Sequence, residues 1–395
     1  MKNILIAIRS IFKKGRHNVM KIVSLGIGLA VGLVLIAKVY FEQSYDDFYP
    51  DRDRVYQVWA KYQQNGGELK DYPQTSGGIA PTMQQQIPEI ETVTRYTSFG
   101  DWTFTMTDTK MKYSGRCIIA DSCFFDILPR PMLIGNAKEV LSTPMYVLIS
   151  SRIAKNIGGD VIGKNFTVDN SPGRTMTIGG VFEEVPENSH SRYDVIVSMA
   201  LAGRFMWEGS PTNMLGNDRY ISYVKLHKGV NPLALEEQVR TFVNSYFPPE
   251  EQQKVGLSID FSFHKLDNLH KELPQVKRMT WILSLLAFAL IFTAVMNYIL
   301  IVISSIVNRS KEVAVHKCYG ASENNIHGMM FGEALVHIVL SLILALLLIL
   351  AFRGTVEELL ATSLDSLLLS NGSLVLLGIC ILVFFVSGFM PGSLL

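Results

Sequence analysis

The chain has 395 residues, of which 48% are hydrophobic and 18% charged, and its formal net charge is +1. This balance excludes the strong positive field that nucleic-acid-binding proteins use, so no nucleic-acid partner is predicted. The apolar residues are concentrated in four runs, and the long segment between the first two runs has the composition of a soluble domain.

Residues 1–19 contain a predicted amphipathic helix at the cytosolic membrane interface. Apolar residues recur at helical spacing on one face of Met1–Phe12, and basic residues lie on the other. The apolar face consists of Ile4, Leu5, Ile8, Ile11 and Phe12, and the basic face of Lys2, Arg9 and Lys13. Such a helix lies in the interface with its apolar face down, so membrane lipid is a predicted partner.

Residues 20–41 are the predicted first transmembrane helix, because a span needs about 20 mostly apolar residues. A secretory signal peptide is the alternative, but the run is followed by Lys38-Val-Tyr-Phe-Glu42, which has no small-residue cleavage site. We therefore predict an uncleaved anchor. Ser24, Gly28 and Gly32 recur every four residues, and small residues on one stripe let helix backbones approach closely. Their partner is another span of this chain or another subunit.

Residues 42–278 form a predicted α+β domain that is large enough for its own core. It mixes strand-like runs with helix-like runs. The predicted strands are 54–62, 146–149, 166–168, 175–181 and 220–226, and the predicted helices are 79–87 and 232–246.

Candidate chemistry in this domain is weak. Gly158 to Lys164 fits the first part of a phosphate-binding loop, but Asn165 stands where Ser or Thr should reach magnesium. His190 and Asp194 could be an acid–base pair, yet no nucleophile motif accompanies them. We predict that the chain is not an enzyme and has no cofactor or metal site.

The cysteines are scattered. Cys117 and Cys123 fall in the soluble domain, where a disulfide is chemically feasible, and no pair of cysteines has metal-ligand spacing. We expect both to be core residues, although the sequence leaves a bridge between them open.

Residues 279–395 contain three more predicted spans, at about 281–307, 334–352 and 373–390. Asn297 lies within the second span, where a polar side chain is expected to hydrogen-bond to a neighbouring helix. Basic residues are concentrated before the first span and after the second, whereas acidic residues dominate after the third. The positive-inside rule then predicts that both termini are cytosolic and that residues 42–278 lie outside.

The segment from Arg309 to Glu333 is charged and glycine-containing, and it lies between two apolar runs. We interpret it as a docking surface for a cytosolic partner. Its candidate residues are Arg309, Lys311, Glu312, Val315, Lys317, Gly320, Ala321 and Ser322. Gly320 allows a backbone conformation that is costly for other residues, and Ser322 can cap the helix that follows. The alternative is simple positive-inside anchoring, which needs the charge but no geometry.

Loose motifs follow one another along the whole chain. They are Gly26-Ile-Gly28-Leu-Ala30 and Ser44 to Val58 around the first span, Gly135 to Gly163 and Gly179 to His190 in the soluble domain, Asn297 to Leu335 across the charged segment, and Ser387-Gly-Phe-Met-Pro391 in the fourth span. In this order and with this topology, the chain resembles the MacB/FtsX-type ABC transporter permeases.

The resemblance implies a multi-pass inner-membrane protein with four transmembrane helices and a large periplasmic domain between the first and second. The MacB-like periplasmic core domain would be 42–278, and the FtsX-like permease domain 279–395. The implied activity couples ATP hydrolysis in a separate cytosolic ABC ATP-binding subunit to efflux or to periplasmic mechanotransmission. Implied partners are a second permease half, as a homodimer or a heterodimer, and a periplasmic protein.

Several alternatives stay open at this stage. Some relatives carry two permease halves in one chain, so this chain is either a complete half-permease or a truncated two-half permease. A membrane-anchored periplasmic ligand sensor or scaffold would need a cytosolic signalling domain, for which neither terminus is long enough. The sequence does not identify the substrate: a lipoprotein, a peptide, a small hydrophobic drug and a cell-wall hydrolase partner are all compatible with it.

Overall fold

A computed structural model of the chain describes residues 18–169, 174–318 and 323–368, together with 372, 374–375, 377–379, 381–383 and 385–386. For 18, 302, 304–314, 316–317, 323–330 and 333 it describes the backbone alone. The chain divides into two compact units. The helical unit comprises Met1–Ser44 and Lys271–Leu395, and the α+β unit comprises Tyr45–His270.

The first described helix is α1 (Asn18–Gln43) in the helical unit. It is mostly apolar, as a helix in the hydrocarbon core of a bilayer must be. Its helical form satisfies the backbone N–H and C=O groups internally, because that core has no water to bond them.

The described part of the α+β unit contains one eleven-stranded sheet. Its strands are β1 (Val55–Gln64), β2 (Leu69–Tyr72), β3 (Ile90–Met106), β4 (Lys112–Ala120), β5 (Met132–Ile134), β6 (Tyr146–Ser150), β7 (Asn165–Val168), β8 (Thr175–Phe182), β9 (Val195–Ser198), β10 (Ile221–Leu226) and β11 (Leu257–Lys265). The order is β11-β1-β10-β3-β4-β9-β6-β8-β5, with β2 beside β1 and with β7 beside β3 and β8. The pairs β4–β9 and β6–β8 are parallel, and the other pairs are antiparallel.

Short helices pack around this sheet. They are α2 (Ile79–Gln86), α3 (Phe124–Ile127), α4 (Ala137–Ser142), α5 (Ser151–Ile157), α6 (Ala202–Phe205), α7 (Glu236–Tyr246), α8 (Pro249–Val255) and α9 (Leu266–Leu269), with 3-10 turns at Met199–Leu201, Ser210–Thr212 and Pro232–Leu235. Side-chain caps fix where two of them begin: Asn136 accepts hydrogen bonds from the N–H groups of Lys138 and Glu139, and Ser150 accepts one from Ile153.

The long strand β3 joins the separate core regions of this unit. Its first half pairs with β10, and its last three residues pair with β7. Between these halves the register with β4 shifts at a bulge that contains Gly100, whose φ of +72° suits glycine. Phe104 is fully buried with Phe166 in one core, and Val93 is buried with Val58 in another. A large α+β domain after a first apolar helix is therefore confirmed.

The helical unit continues after the α+β unit with α10 (Pro274–Cys318), α11 (Glu323–Ala351), α12 (Arg353–Leu360) and α13 (Leu364–Leu368). α1 packs against both α10 and α11. Its Leu25 and Leu29 are buried in one cluster with Ala294 and Tyr298 of α10 and Ile338 of α11.

Three described helices are long and apolar enough to cross a membrane, namely Val19–Gln43, Pro274–Ile301 and Ala334–Ala351. They correspond to the first three predicted spans. The predicted fourth span, 373–390, is described at only some of its residues, and those residues are helical. The predicted helix Met1–Phe12 lies outside the described residues.

Candidate functional site

Glycines of α1 lie at close approaches between the helices of the helical unit. A Cβ added to Gly28 would lie 2.4 Å from Cβ of Ala294, and one added to Gly32 would lie 2.7 Å from Cγ1 of Ile291, so both glycines face α10. A Cβ added to Gly26 would lie 2.8 Å from Cδ2 of Leu344 in α11. The close approach of both neighbouring helices to α1 therefore depends on residues without side chains.

Ser24 and Asn297, the other two residues predicted to pack helices, have different surroundings. Ser24 is half-buried, whereas Asn297 is exposed on the surface of α10. Among the described residues, no hydrogen-bond partner of the Asn297 carboxamide is found.

The predicted docking segment begins as a helix. α10 continues without interruption to Cys318, so Arg309, Lys311, Glu312, Val315 and Lys317 lie on its last turns and not in a loop. These ten residues, 309 to 318, extend about 15 Å along the helix axis. The Val315 side chain is 54% exposed, and Cys318 is exposed. The predicted turn residues Gly320, Ala321 and Ser322 lie outside the described residues.

A buried ion pair, which the sequence did not reveal, lies at the far end of α1. Nζ of Lys38 is 2.6 Å from Oε1 of Glu42, one helical turn later, and donates a hydrogen bond of 2.8 Å to Oγ1 of Thr362. Its ammonium group also lies over the ring of Phe41, 5.1 Å from the centroid. Both charged side chains are more than nine-tenths buried. The pair therefore fixes the end of α1 against the segment between α12 and α13.

A buried carboxyl group lies in the first residues of the α+β unit. Asp46 has a φ of +58° and is 1% exposed. Its Oδ1 accepts hydrogen bonds of 3.0 Å from Oγ of Ser189 and from the N–H of His190, and its own N–H donates to the carbonyl of Asn188. Burial raises the pKa of Asp46 to about 6. These contacts hold the first turn of the unit against the segment before β9.

A charged cleft of about 450 Å³ lies beside Asp194, which the sequence suggested as half of an acid–base pair with His190. Oδ1 of Asp194 is 2.6 Å from Nη2 of Arg152, and its Oδ2 accepts a hydrogen bond of 2.9 Å from the N–H of Arg116. Arg152 also contacts Glu184, with 3.3 Å between Nε and Oε1. The carboxylate of Asp194 is therefore engaged in ion pairing and backbone contacts, whereas the backbone of His190 is bound to Asp46.

The other candidate chemistry of the α+β unit is structural. Gly158 and Gly163 have positive φ, and the N–H of Gly163 donates to Ile178, so this segment is a turn leading into β7. Cys117 and Cys123 are free thiols, the first fully buried in β4. Within the described ranges, no cluster of three or more His, Cys, Asp or Glu side chains could hold a metal.

The arrangement defines a membrane protein with an α+β domain inserted between its first and second apolar helices. The sequence matches the profile of the MacB-like periplasmic core domain over residues 20–242 and that of the FtsX-like permease C-terminal domain over residues 284–395. The chain belongs to the MacB/FtsX-type ABC transporter permeases, and it is an inner-membrane protein with a periplasmic domain. Permeases of this family work with a cytosolic ABC ATPase.

Solved structures resemble about half of the chain. A domain of a protein from Porphyromonas gingivalis, assigned as a permease, is 33% identical with a TM-score of 0.51 and covers 55% of this chain and 91% of its own. The periplasmic region of MacB from Actinobacillus actinomycetemcomitans is 14% identical with a TM-score of 0.34, covering 55% of this chain and 91% of its own. The extracellular domain of the ABC-type transporter YknZ from Gram-positive bacteria is 11% identical with a TM-score of 0.37, covering 52% and 98%. A search of curated proteins finds no match.

Proposed function

We propose that the chain is the permease subunit of an ABC transporter and that it couples ATP hydrolysis in a separate cytosolic subunit to export or to mechanical work in the periplasm. One observation carries this proposal: in a chain of this family, the second apolar helix continues as a charged helix through Arg309 to Cys318. A helix that leaves the apolar layer with Arg309, Lys311, Glu312 and Lys317 in its last ten residues suits contact with a soluble protein.

The proposed topology has four spans, with both termini in the cytosol and the α+β unit in the periplasm. The three described apolar helices supply the first three spans, and residues 373–390 supply the fourth. The basic residues of Arg309–Cys318 then lie on the cytosolic side, as the positive-inside rule requires. The ATP-binding subunit would dock on this helix end and on Gly320, Ala321 and Ser322, which follow it in the sequence.

Motion of the charged end of α10 would reach the α+β unit through two rigid helices, α10 and then α1. α10 is continuous over 45 residues, so a displacement of its charged end moves its apolar part as well. α10 meets α1 at Gly28 and Gly32, where the absence of side chains leaves little free space. α1 is in turn covalently continuous with the α+β unit, which begins two residues after Gln43. The permease would act as a dimer with a second copy or with a related half.

Co-purification from native membranes tests this function. We expect the tagged chain to recover an ATP-binding subunit, and its membranes to hydrolyse ATP at a rate that depends on the chain. An unrelated tagged membrane protein, expressed at the same level, is the control. Recovery of the chain without any ATP-binding subunit, combined with ligand binding by its α+β unit, would favour the sensor alternative and contradict the proposal.

A further inference from the structure

A cavity of about 520 Å³ lies in the α+β unit, between helices α7 and α8 and the ends of strands β1 and β11. This volume is within the range of about 300–1,000 Å³ that is typical of small-molecule sites. Carboxamides dominate its polar lining, which consists of Gln63, Asn65, Asn244, Gln252 and Gln253 with the hydroxyl of Ser258. Each carboxamide carries two N–H donors and an acceptor oxygen, so the cavity presents donors and acceptors side by side.

Two of the carboxamide residues fix the walls of this cavity. Gln252 donates a hydrogen bond of 2.6 Å to the carbonyl of Phe247 and accepts one of 2.9 Å from the N–H of Ile259, so it ties α8 to β11. The N–H of Asn65 donates to the carbonyl of Gly256 at 2.7 Å. The Asn65 side chain lies over Gly256, where an added Cβ would collide with its Oδ1. The walls are therefore held by specific bonds before any ligand is present.

The remaining polar side chains of the cavity are open to a ligand. Asn244, Gln253 and Ser258 are exposed, and their side chains make no hydrogen bond to any other residue that the structure describes. Arg240 and Asp260 are the charged residues of the lining, and their opposite signs leave the cavity without a net charge. A phosphate or another strong anion is therefore not favoured. An apolar ligand is not favoured either, because it would remove water from these polar groups without replacing the hydrogen bonds.

An extended peptide added to the free edge of β11 is also disfavoured. Strand β11 is the last in the order of the described sheet, so it has a strand on one side only. On its other side, the N–H of Ile259 donates to Oε1 of Gln252 at 2.9 Å, and the N–H of Phe261 donates to Oδ1 of Asp260 at 2.8 Å. An added strand would have to displace both bonds, so these side chains protect the edge.

We propose that this cavity binds a short oligosaccharide. Every sugar hydroxyl both donates and accepts hydrogen bonds, which matches a lining of uncharged groups that do the same. Two neighbouring hydroxyls of one ring can bond to the two ends of one carboxamide. Val243 and Leu257 supply an apolar surface for the C–H face of the ring. Acetamido sugars and plain hexoses share this chemistry. The site goes beyond the proposed coupling function and does not depend on it.

Titration of the full chain in lipid nanodiscs with three probes tests the site. Nanodiscs avoid detergents with sugar headgroups, which would compete for the cavity, and nanodiscs without protein are the blank. The probes are chitotriose, whose sugars carry acetamido groups, maltotriose, whose sugars carry hydroxyls alone, and trialanine, which has no hydroxyls. We expect ligand-observed NMR to show saturable binding of at least one trisaccharide and no saturable binding of trialanine. The trisaccharide that binds more tightly identifies the class of sugar.

Substitutions in the lining locate the binding. Asn244→Leu combined with Gln253→Leu removes two exposed carboxamides, and we expect the dissociation constant to rise by about tenfold, because each lost hydrogen bond weakens binding by about two- to tenfold. Ser258→Ala removes a single exposed hydroxyl and should weaken binding by about two- to threefold, which provides a milder variant if the double variant unfolds. Gln85→Leu is the matched control, because it removes an exposed carboxamide of α2 that does not line the cavity.

Three results would overturn the proposal. They are no saturation by either trisaccharide in the millimolar range, equal binding of trialanine, and sugar binding that the cavity variants leave unchanged or that Gln85→Leu weakens equally. The result is also separate from the proposed coupling function. An ATP-binding subunit recovered from membranes of a chain that binds no sugar would retain the function and remove this site, and sugar binding without any ATP-binding subunit would do the reverse.

Discussion

Asp46 combines a left-handed backbone with a carboxyl group that has almost no contact with water. The backbone conformation is one that Asp and Asn adopt more readily than most residues. The carboxylate keeps two hydrogen-bond donors, Ser189 and the His190 N–H, but burial outweighs both, and the pKa rises from 3.8 to about 6. Folding therefore favours the protonated form of this side chain.

We predict that Asp46→Asn stabilises the protein at neutral pH. The folded-state pKa lies above the unfolded one, so the wild-type free energy of unfolding gains a contribution from Asp46 as the pH falls from about 6 to about 4. Above this window the ionised carboxyl costs about 3 kcal/mol, because the pKa of Asp46 rises from 3.8 to about 6 on folding. Asn keeps the acceptor oxygen and the backbone conformation without the charge.

The measurement is the free energy of unfolding of variant and wild type from pH 4 to pH 8. The variant's advantage should be largest near pH 7.5 and should vanish near pH 4. Other titrating groups are common to both proteins and cancel in this difference. An advantage that is independent of pH would contradict the assignment.

The second stability prediction concerns the buried ion pair of Lys38 and Glu42. Lys38→Met removes the Lys38 ammonium group from beside the buried Glu42 carboxylate, and it removes the hydrogen bond to Thr362. Breaking a buried pair from one side typically costs about 3–5 kcal/mol, whereas replacing both charges by apolar groups is often neutral. We therefore expect Lys38→Met to lower the melting temperature of the chain in detergent, and Lys38→Met with Glu42→Leu to recover most of the loss. Equal losses in the single and double variants would show that the ion pair is not the cause.

Neither the buried Asp46 carboxyl nor the Lys38–Glu42 ion pair could have been identified from the sequence. In contrast, Ser24, Gly28 and Gly32 could be identified by their spacing. The small-residue stripe is local, because it repeats every four residues along one helix. The partners of Asp46 and Lys38 lie 143 and 324 residues away from them, at Ser189 and Thr362. Contacts at such separations depend on the tertiary fold, which leaves no periodic trace in the sequence.

At the scale of elements, the glycines of α1 decide how closely the helices pack. Gly28→Ala raises the helix propensity of α1 by up to about 1 kcal/mol, but it places a methyl group 2.4 Å from Cβ of Ala294. Overpacking of this kind costs about 1–3 kcal/mol, so we expect a net loss of stability. Gly354→Ala in α12 is the matched control, because an added methyl group there meets nothing within 4 Å of the described structure. Thermal unfolding in detergent should show a loss for the first variant and none for the second; similar behaviour of the two would contradict close packing at Gly28.

The strands show what periodicity can and cannot predict. The predictions at 54–62, 146–149 and 175–181 agree with β1, β6 and β8 to within two residues at each end. β3 was missed because the bulge at Gly100 interrupts its alternation. β9 shows no alternation in its sequence, because all four of its residues are buried. β11 does alternate apolar and polar residues from Leu257 to Phe263, so its signal was present and overlooked.

The sequence of the charged segment after the second apolar run left its local structure open. Its first ten residues are helical and extend α10 to Cys318. Arg, Lys, Glu, Val and Ala are compatible with both helix and loop, and the change from apolar to charged residues marks the end of a membrane layer and not the end of a helix. The hydropathy pattern therefore located the boundary of the apolar layer and left the secondary structure undetermined.

At the scale of the whole molecule, the orientation can be tested with a native residue. Cys318 is exposed at the end of α10, where the basic bias predicts the cytosol. In a chain that keeps Cys318 alone, we expect no labelling by an impermeant maleimide added from outside, and full labelling after the membrane is opened. Glu68→Cys, in the exposed hairpin between β1 and β2, should be labelled from outside. Labelling of Cys318 from outside would reverse the proposed topology.

The last prediction tests the proposed coupling role at the connection between α10 and α11. Only residues 319–322 separate the two helices, so the chain must reverse direction within a few residues if both helices cross the membrane. Gly320 is the residue in this connection that can adopt any turn conformation without steric cost. Gly320→Val changes the shape of the connection and leaves its charge unaltered. We therefore expect this variant to insert normally but to lose most of the chain-dependent ATP hydrolysis.

Two further variants separate geometry from charge. Glu312→Ala removes the acidic side chain from the charged end of α10 and should weaken recovery of the ATP-binding subunit. Replacing Lys311 and Lys317 with Gln lowers the positive charge and should affect the orientation of insertion, which is read by labelling of Cys318. All variants are compared in membranes that contain equal amounts of the chain. If Gly320→Val and Glu312→Ala behave as wild type and only the lysine variant differs, the segment is an anchor, and the proposed coupling function loses its main support.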